Sequence, residues 1–227
     1  MKVYKLNKAV FNLKNNVTQF LQGLASNDLD KPHNAFVTIH GRIVATFDQL
    51  HLSDDEVVIL VEEPFVDGLL KHIDRFVKLS GVKMERIKRN VYFDLDDKVP
   101  SPGPGEGQDW TIPQKRGKII VTERVLESNV SDEEFRLFRL KNHIPQQGVD
   151  YTDEFLLNVG EVFVSFTKGC FLGQEPIAKV HNRSKPSSKL VLRYEDECTS
   201  EEKEKMTSKT LEHETRRVLG FIFVKNE

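Results

Sequence analysis

The stretch from Ser165 to Arg183 (SFTKGCFLGQEPIAKVHNR) gathers the residue types from which a reactive or ligand-binding loop is made. Lys168, Gly169, Cys170, Gly173, Gln174 and Glu175 all fall inside it. Its glycines let the backbone turn tightly and approach a ligand closely. Pro176 marks a helix start, where unpaired N–H groups carry a partial positive charge. A thiol beside Lys168 and such a terminus is drawn towards its thiolate form. A free cysteine is also a common small filler of a core. Both readings of Cys170 stand at this point.

Other chemistries find little support. The seven histidines show no His-x-x-x-His or His-Glu-x-x-His spacing, and Cys170 and Cys198 form no Cys-x-x-Cys pair, so a self-contained metal site is not expected. No Gly-x-Ser-x-Gly elbow or phosphate loop occurs, and GPGEG in the proline-rich stretch lacks the Lys-Ser/Thr ending.

The elements that must position these residues follow from local patterning. A strand over Val162–Phe166 is expected to deliver the Cys170 loop. Val17, Phe20, Leu21 and Leu24 have helical spacing, with Asn16 as cap. The apolar runs 35–39 and 42–52 flank His40-Gly41 as a β-hairpin, and EVVILVE (56–62) is a third strand. Pro64 opens a helix with Phe65, Leu69, Ile73 and Phe76 on one face, and Gly81 ends it. Strands follow over 82–87 and 91–95, then a linker over 96–109 and a strand over 117–122. Ser131 and Glu134 form a capping-box signature before a further helix. Residues 195–217 read as a solvated hairpin or mobile loop between strands 188–193 and 218–224. The whole is an α+β pattern with antiparallel sheets.

Composition narrows the function classes. The 227 residues carry 33 basic and 35 acidic side chains, a formal net charge of −2, which argues against a nucleic-acid partner. Two cysteines make no disulfide framework. With no apolar run near the ~20 residues that span a bilayer, the chain is expected to be soluble and cytoplasmic, with no membrane partner.

Lys168-Gly169-Cys170-Phe171-x-Gly173-Gln174-Glu175 resembles the K-G-C-[YF]-x-G-Q-E motif of the folate-binding YgfZ family. Phe20-Leu21-Gln22-Gly23-Leu24-x-x-Asn27-Asp28 is similar to that family's F-L-Q-G-x-x-T-N-D segment, and Gly41-Arg42 to its G-R-x-L. Arg139 with Ile144-Pro145-x-x-Gly148-x-Asp150 resembles its R…G-[IL]-P-x-x-G-x-[DE] stretch. The resemblance implies a fold like that of the glycine-cleavage T-protein, with α+β subdomains around a central folate pocket and an abbreviated C-terminal β-barrel-like part. It implies domains over 1–96, 97–185 and 186–227, the middle one carrying the KGCFLGQE motif. It implies tetrahydrofolate or a related reduced folate as ligand, and iron–sulfur client or assembly proteins as partners. Carried over by position, Cys170 and Lys168 are the reactive pair, and Asn27, Asp28, Arg42, Arg139, Gly169, Gln174 and Glu175 contact the folate. Cys170, Asp28 and Arg42 are then expected to reach one cavity together. For single residues, turn capping by Asn27-Asp28 and surface pairing by Arg42 or Arg139 are the competing readings. Ala45 and Thr46 stand where T-proteins have an aspartate pair, which argues against aminomethyl transfer.

Overall fold

The computed structural model describes residues 1–96 and 109–226. The linker expected over 96–109 therefore falls almost wholly outside the described residues. In chain order the elements are β1 (Val3–Leu6), β2 (Lys8–Lys14), α1 (Val17–Leu24), β3 (His33–Val37), β4 (Ile43–Ser53), β5 (Glu56–Glu62), α2 (Val66–Ser80), β6 (Lys83–Ile87) and β7 (Asn90–Asp94). They continue with β8 (Trp110–Pro113), β9 (Lys118–Thr122), α3 (Asp132–Lys141), α4 (Leu156–Val159), α5 (Gln174–Arg183), β10 (Ser188–Tyr194), α6 (Ser200–Lys205), β11 (Thr207–Glu212) and β12 (Arg217–Lys225).

The strands form three antiparallel sheets: five strands in the order β3-β4-β5-β2-β6, four in the order β1-β7-β9-β8, and three in the order β10-β12-β11. The nearly unbroken apolar run of β5 has a simple cause. Val57, Ile59 and Val61 pack under α1 and α2, while Val58 and Leu60 meet the four-stranded sheet and Phe135 of α3. A strand covered on both faces carries no polar alternation. A third core joins Val37 and Ile43 at the edge of the five-stranded sheet to α4, to Ile177 of α5 and to the C-terminal sheet. The β7–β9 pairing ties residues on the two sides of the proline-rich stretch into one sheet.

Most local expectations hold, and the exceptions have tertiary causes. Asn16 stands at the N-terminus of α1 in the left-handed region and makes no side-chain cap; its amide donates to Ser80 O. Asp55, in the β4–β5 turn, accepts the Val17 N–H instead. Ser131 does cap α3, accepting the Glu134 N–H at 3.1 Å. No strand forms over Val162–Phe166: the chain makes a 3-10 turn at Glu161–Phe163, and the Ser165 N–H then donates to Ser26 O. Of the two readings of residues 195–217 the hairpin holds, since β11 pairs antiparallel with β12, and the addition is α6, on which Thr199 and Glu202 form a full capping box. Local capping there outweighs a low apolar content.

Candidate functional site

A cavity of about 380 Å³ lies beside β4, between the five-stranded sheet and the β8–β9 hairpin, closed by the segment after α3. That is within the usual range for small-molecule sites. Thr46 and Asp48 project into it from the same face of β4, as residues two apart on a strand must. Lys8 and Glu62 are directly opposed on β2 and β5, and His33 and Asp48 on β3 and β4. Phe93, Phe135 and Phe163 supply apolar wall.

These side chains form one charged cluster. Lys8 Nζ lies 2.9 Å from Asp48 Oδ2 and 3.0 Å from Glu62 Oε1. His33 Nδ1 is 3.0 Å from Asp48 Oδ1, and Gln114 Nε2 donates to the same oxygen at 3.2 Å. Gln146 Nε2 donates to Glu62 Oε2 at 3.3 Å. Burial alone would raise the Asp48 pKa, but the Lys8 charge and the His33 contact outweigh it and hold the carboxyl well below the ordinary range. Burial would likewise lower the Lys8 pKa, and its two carboxylates push it well above the usual lysine value instead. Asp48 is thus a fixed anion and a poor proton acceptor.

The motif residues gather elsewhere. Lys168 Nζ donates to Ala25 O at 2.6 Å and Asn27 O at 2.9 Å, at the end of α1, and lies over the Phe171 ring. Its burial pushes its pKa down to about 8, against the weaker pull of Asp28. Asn27 is buried, its amide donating to His33 O and Val162 O. It therefore braces the cavity wall from behind, since His33 and Val162 both line the cavity. Gly173 turns with φ 82° against the Thr38 carbonyl, bringing the loop onto the β3–β4 hairpin. Cys170 at the tip is exposed, as are Gly169 and Glu175, while Gln174 borders a smaller cleft against α5.

Of the residues expected to meet a ligand, Arg139 lines the large cavity. Its guanidinium donates to Asp150 Oδ2 (2.7 Å), Ile144 O and Ser208 Oγ. Arg42 is exposed and pairs with Asp153 at 3.2 Å. Cys170, Asp28 and Arg42 are not among the cavity's lining residues. Arg42 sits in the tight β3–β4 turn, where Gly41 has φ 72° and a Cβ would meet Phe155 at 2.7 Å. Lys8, His33, Asp48, Glu62 and Tyr151 were not expected from sequence. The one local hint is a carboxylate, Asp48, inside the apolar run of β4 two residues after Thr46.

Among the described residues no group of three or more His, Cys, Asp or Glu side chains is placed to hold a metal ion, and no helix is long and apolar enough to cross a membrane.

Known proteins bear on the fold. Glycine cleavage system aminomethyltransferase T from Bartonella henselae superposes with a TM-score of 0.74 at 12% identity, over 98% of this chain and 78% of that one. The chain therefore has an aminomethyltransferase T-like α+β fold. An uncharacterized protein of Haemophilus influenzae is 22% identical over 178 residues, which are 73% of this chain. The match spans 62% of the length of that relative. No family model matches the chain.

Proposed function

We propose that this protein binds tetrahydrofolate or a related reduced folate in the Asp48–Glu62 cavity and assists the assembly or repair of iron–sulfur enzymes through the Cys170 loop. The observation that carries the reading is the cavity itself. It is walled by aromatic rings and closed at one end by two carboxylates, in a fold like that of aminomethyltransferase T. Each carboxylate has protein donors on both oxygens yet keeps lone pairs for more, since an ionised carboxylate accepts about four hydrogen bonds. Glu62 is the residue best suited to accept the amino group and adjacent ring N–H of a pterin. Bound there, a reduced folate supplies a carrier for one-carbon units. The exposed Cys170 is suited to protein contact, and Lys168 and Asn27 connect its loop to the cavity wall.

A second reading, a folate-dependent one-carbon transferase, is favoured by one observation: carboxylates do stand in the cavity, at Asp48 and Glu62 rather than at Ala45 and Thr46. The low pKa of Asp48 weighs against it, because a general base works best with a pKa near the working pH.

Anaerobic titration calorimetry with tetrahydrofolate tests the binding. Micromolar affinity (about −8 kcal/mol) is expected in the wild type and a loss of ten-fold or more in Glu62→Gln. Cys170→Ser is expected to bind folate normally and to lose the support of iron–sulfur enzyme activity in cells lacking the wild-type protein. Turnover of an aminomethyl donor would favour the transferase.

A further inference from the structure

The polar wall of the cavity has a direction that can be read from its hydrogen bonds. Gln147 Nε2 donates to Thr152 O at 2.9 Å and Val44 O at 3.3 Å, while its Oε1 accepts the Thr46 N–H at 2.7 Å. Backbone partners have fixed polarity, so this amide has one orientation. Thr46 Oγ1 lies 3.1 Å from the same Oε1 and 2.8 Å from Tyr151 Oη. Two oxygens facing each other at such a distance without a hydrogen between them repel, so the threonine proton points to Gln147. Thr46 Oγ1 is then left to accept the proton of Tyr151. Burial raises the Tyr151 pKa well above the usual phenol value, so that proton stays in place. The Tyr151 oxygen consequently offers lone pairs to the cavity and no proton.

The same polarity recurs around it. Asp48 and Glu62 only accept. Gln114 and Gln146 each donate one amide N–H to one of those carboxylates, and their amide oxygens are acceptors. Lys8 has ion-pair contacts to both carboxylates, and the terminal nitrogens of Arg139 donate to Asp150, Ile144 O and Ser208. The buried end is thus rich in acceptors.

We infer that this end of the cavity takes a ring edge made of N–H donors, and that Tyr151, held as an acceptor by Thr46 and Gln147, makes the site prefer the reduced state of its ligand's ring over the oxidised state. The inference rests on the folate reading. A tetrahydro ring bears hydrogens on nitrogens where the fully oxidised ring bears lone pairs. A lone pair turned against a buried acceptor leaves both unsatisfied, and sites built on hydrogen-bond polarity discriminate strongly on that basis.

The test compares tetrahydrofolate with folic acid, which share the same tail, by anaerobic titration on the wild type, Thr46→Val and Tyr151→Phe. The wild type is expected to bind the reduced form about ten- to hundred-fold more tightly. Thr46→Val removes the acceptor for the phenol proton, which turns to the ligand; the ratio is expected to fall by about ten-fold or invert. Tyr151→Phe is expected to weaken the reduced form and to leave folic acid bound as tightly or more tightly, so that the ratio falls. A melting curve on each variant establishes that it is folded, and either variant suffices if the other is not. Equal affinity of the wild type for both ligands, or an unchanged ratio in a folded variant, overturns the inference and leaves the folate reading intact. Binding of neither ligand overturns both.

Discussion

Asp48 is 6% exposed, yet it stays ionised because Lys8 and His33 face it across neighbouring strands. A carboxyl whose folded pKa lies below its unfolded value of about 3.9 contributes stability that is complete above that pH and is lost as the pH falls below it. Asp48→Asn is therefore expected to cost about 3 kcal/mol at pH 7, since it leaves the buried Lys8 charge with Glu62 alone. It should also flatten the loss of stability between about pH 4 and pH 2. Urea denaturation across that range measures both effects, and an acid slope equal to that of the wild type would show that Asp48 titrates as an exposed carboxyl does. The motif cysteine, by contrast, was visible in the sequence but its neighbourhood was not. Lys168 is held by backbone carbonyls at the end of α1, a partner set that no spacing rule announces.

Among elements, the Cys170 loop depends on one glycine. Gly173 has a positive φ and would press a Cβ into the Thr38 carbonyl and Val37. Gly173→Ala is expected to destabilise the protein by about 2–3 kcal/mol, combining backbone strain with the collision. That corresponds to a fall in Tm of roughly 4–12 °C for a chain of this size. Gly23 supplies the contrast: it lies on the exposed side of α1 with open space where a Cβ would go, so Gly23→Ala should raise stability by about 0.5–1 kcal/mol. Thermal melts of the two variants separate a required glycine from a dispensable one; destabilisation by both would refute the distinction. The element pattern itself was readable because helix and strand periodicities are local. It failed at Val162–Phe166, where β-type residues lack a partner strand, and at Ser200–Lys205, where a capping box raised a helix out of a charged run ahead of the expected hairpin.

At the scale of the molecule, Arg139 and Asp150 join three parts. Asp150 accepts from Arg139 of α3 (2.7 Å), from the Gln146 N–H (2.9 Å), and from Thr207 and Ser208 at the start of β11 (2.9 and 2.5 Å). The pair thereby fastens the C-terminal sheet to the segment that closes the cavity. Arg139→Met or Asp150→Leu alone is expected to cost about 3–5 kcal/mol by leaving a buried charge unpaired, and the double variant clearly less than the sum. Chemical denaturation of the four proteins gives the coupling directly, and strict additivity would mean that the pair does not act as a unit.

The amino-acid order by itself determined the α+β content, the amphipathic faces of α1 and α2, the hairpin at His40-Gly41 and the distinctive loop around Cys170, because each follows from residues within a few positions of one another. Tertiary structure alone decided where the ligand-sized cavity lies and what its polar end offers. Lys8, His33, Asp48 and Glu62 sit on four different strands and meet through antiparallel register. Register follows from how whole faces of a sheet are buried, which is a non-local property.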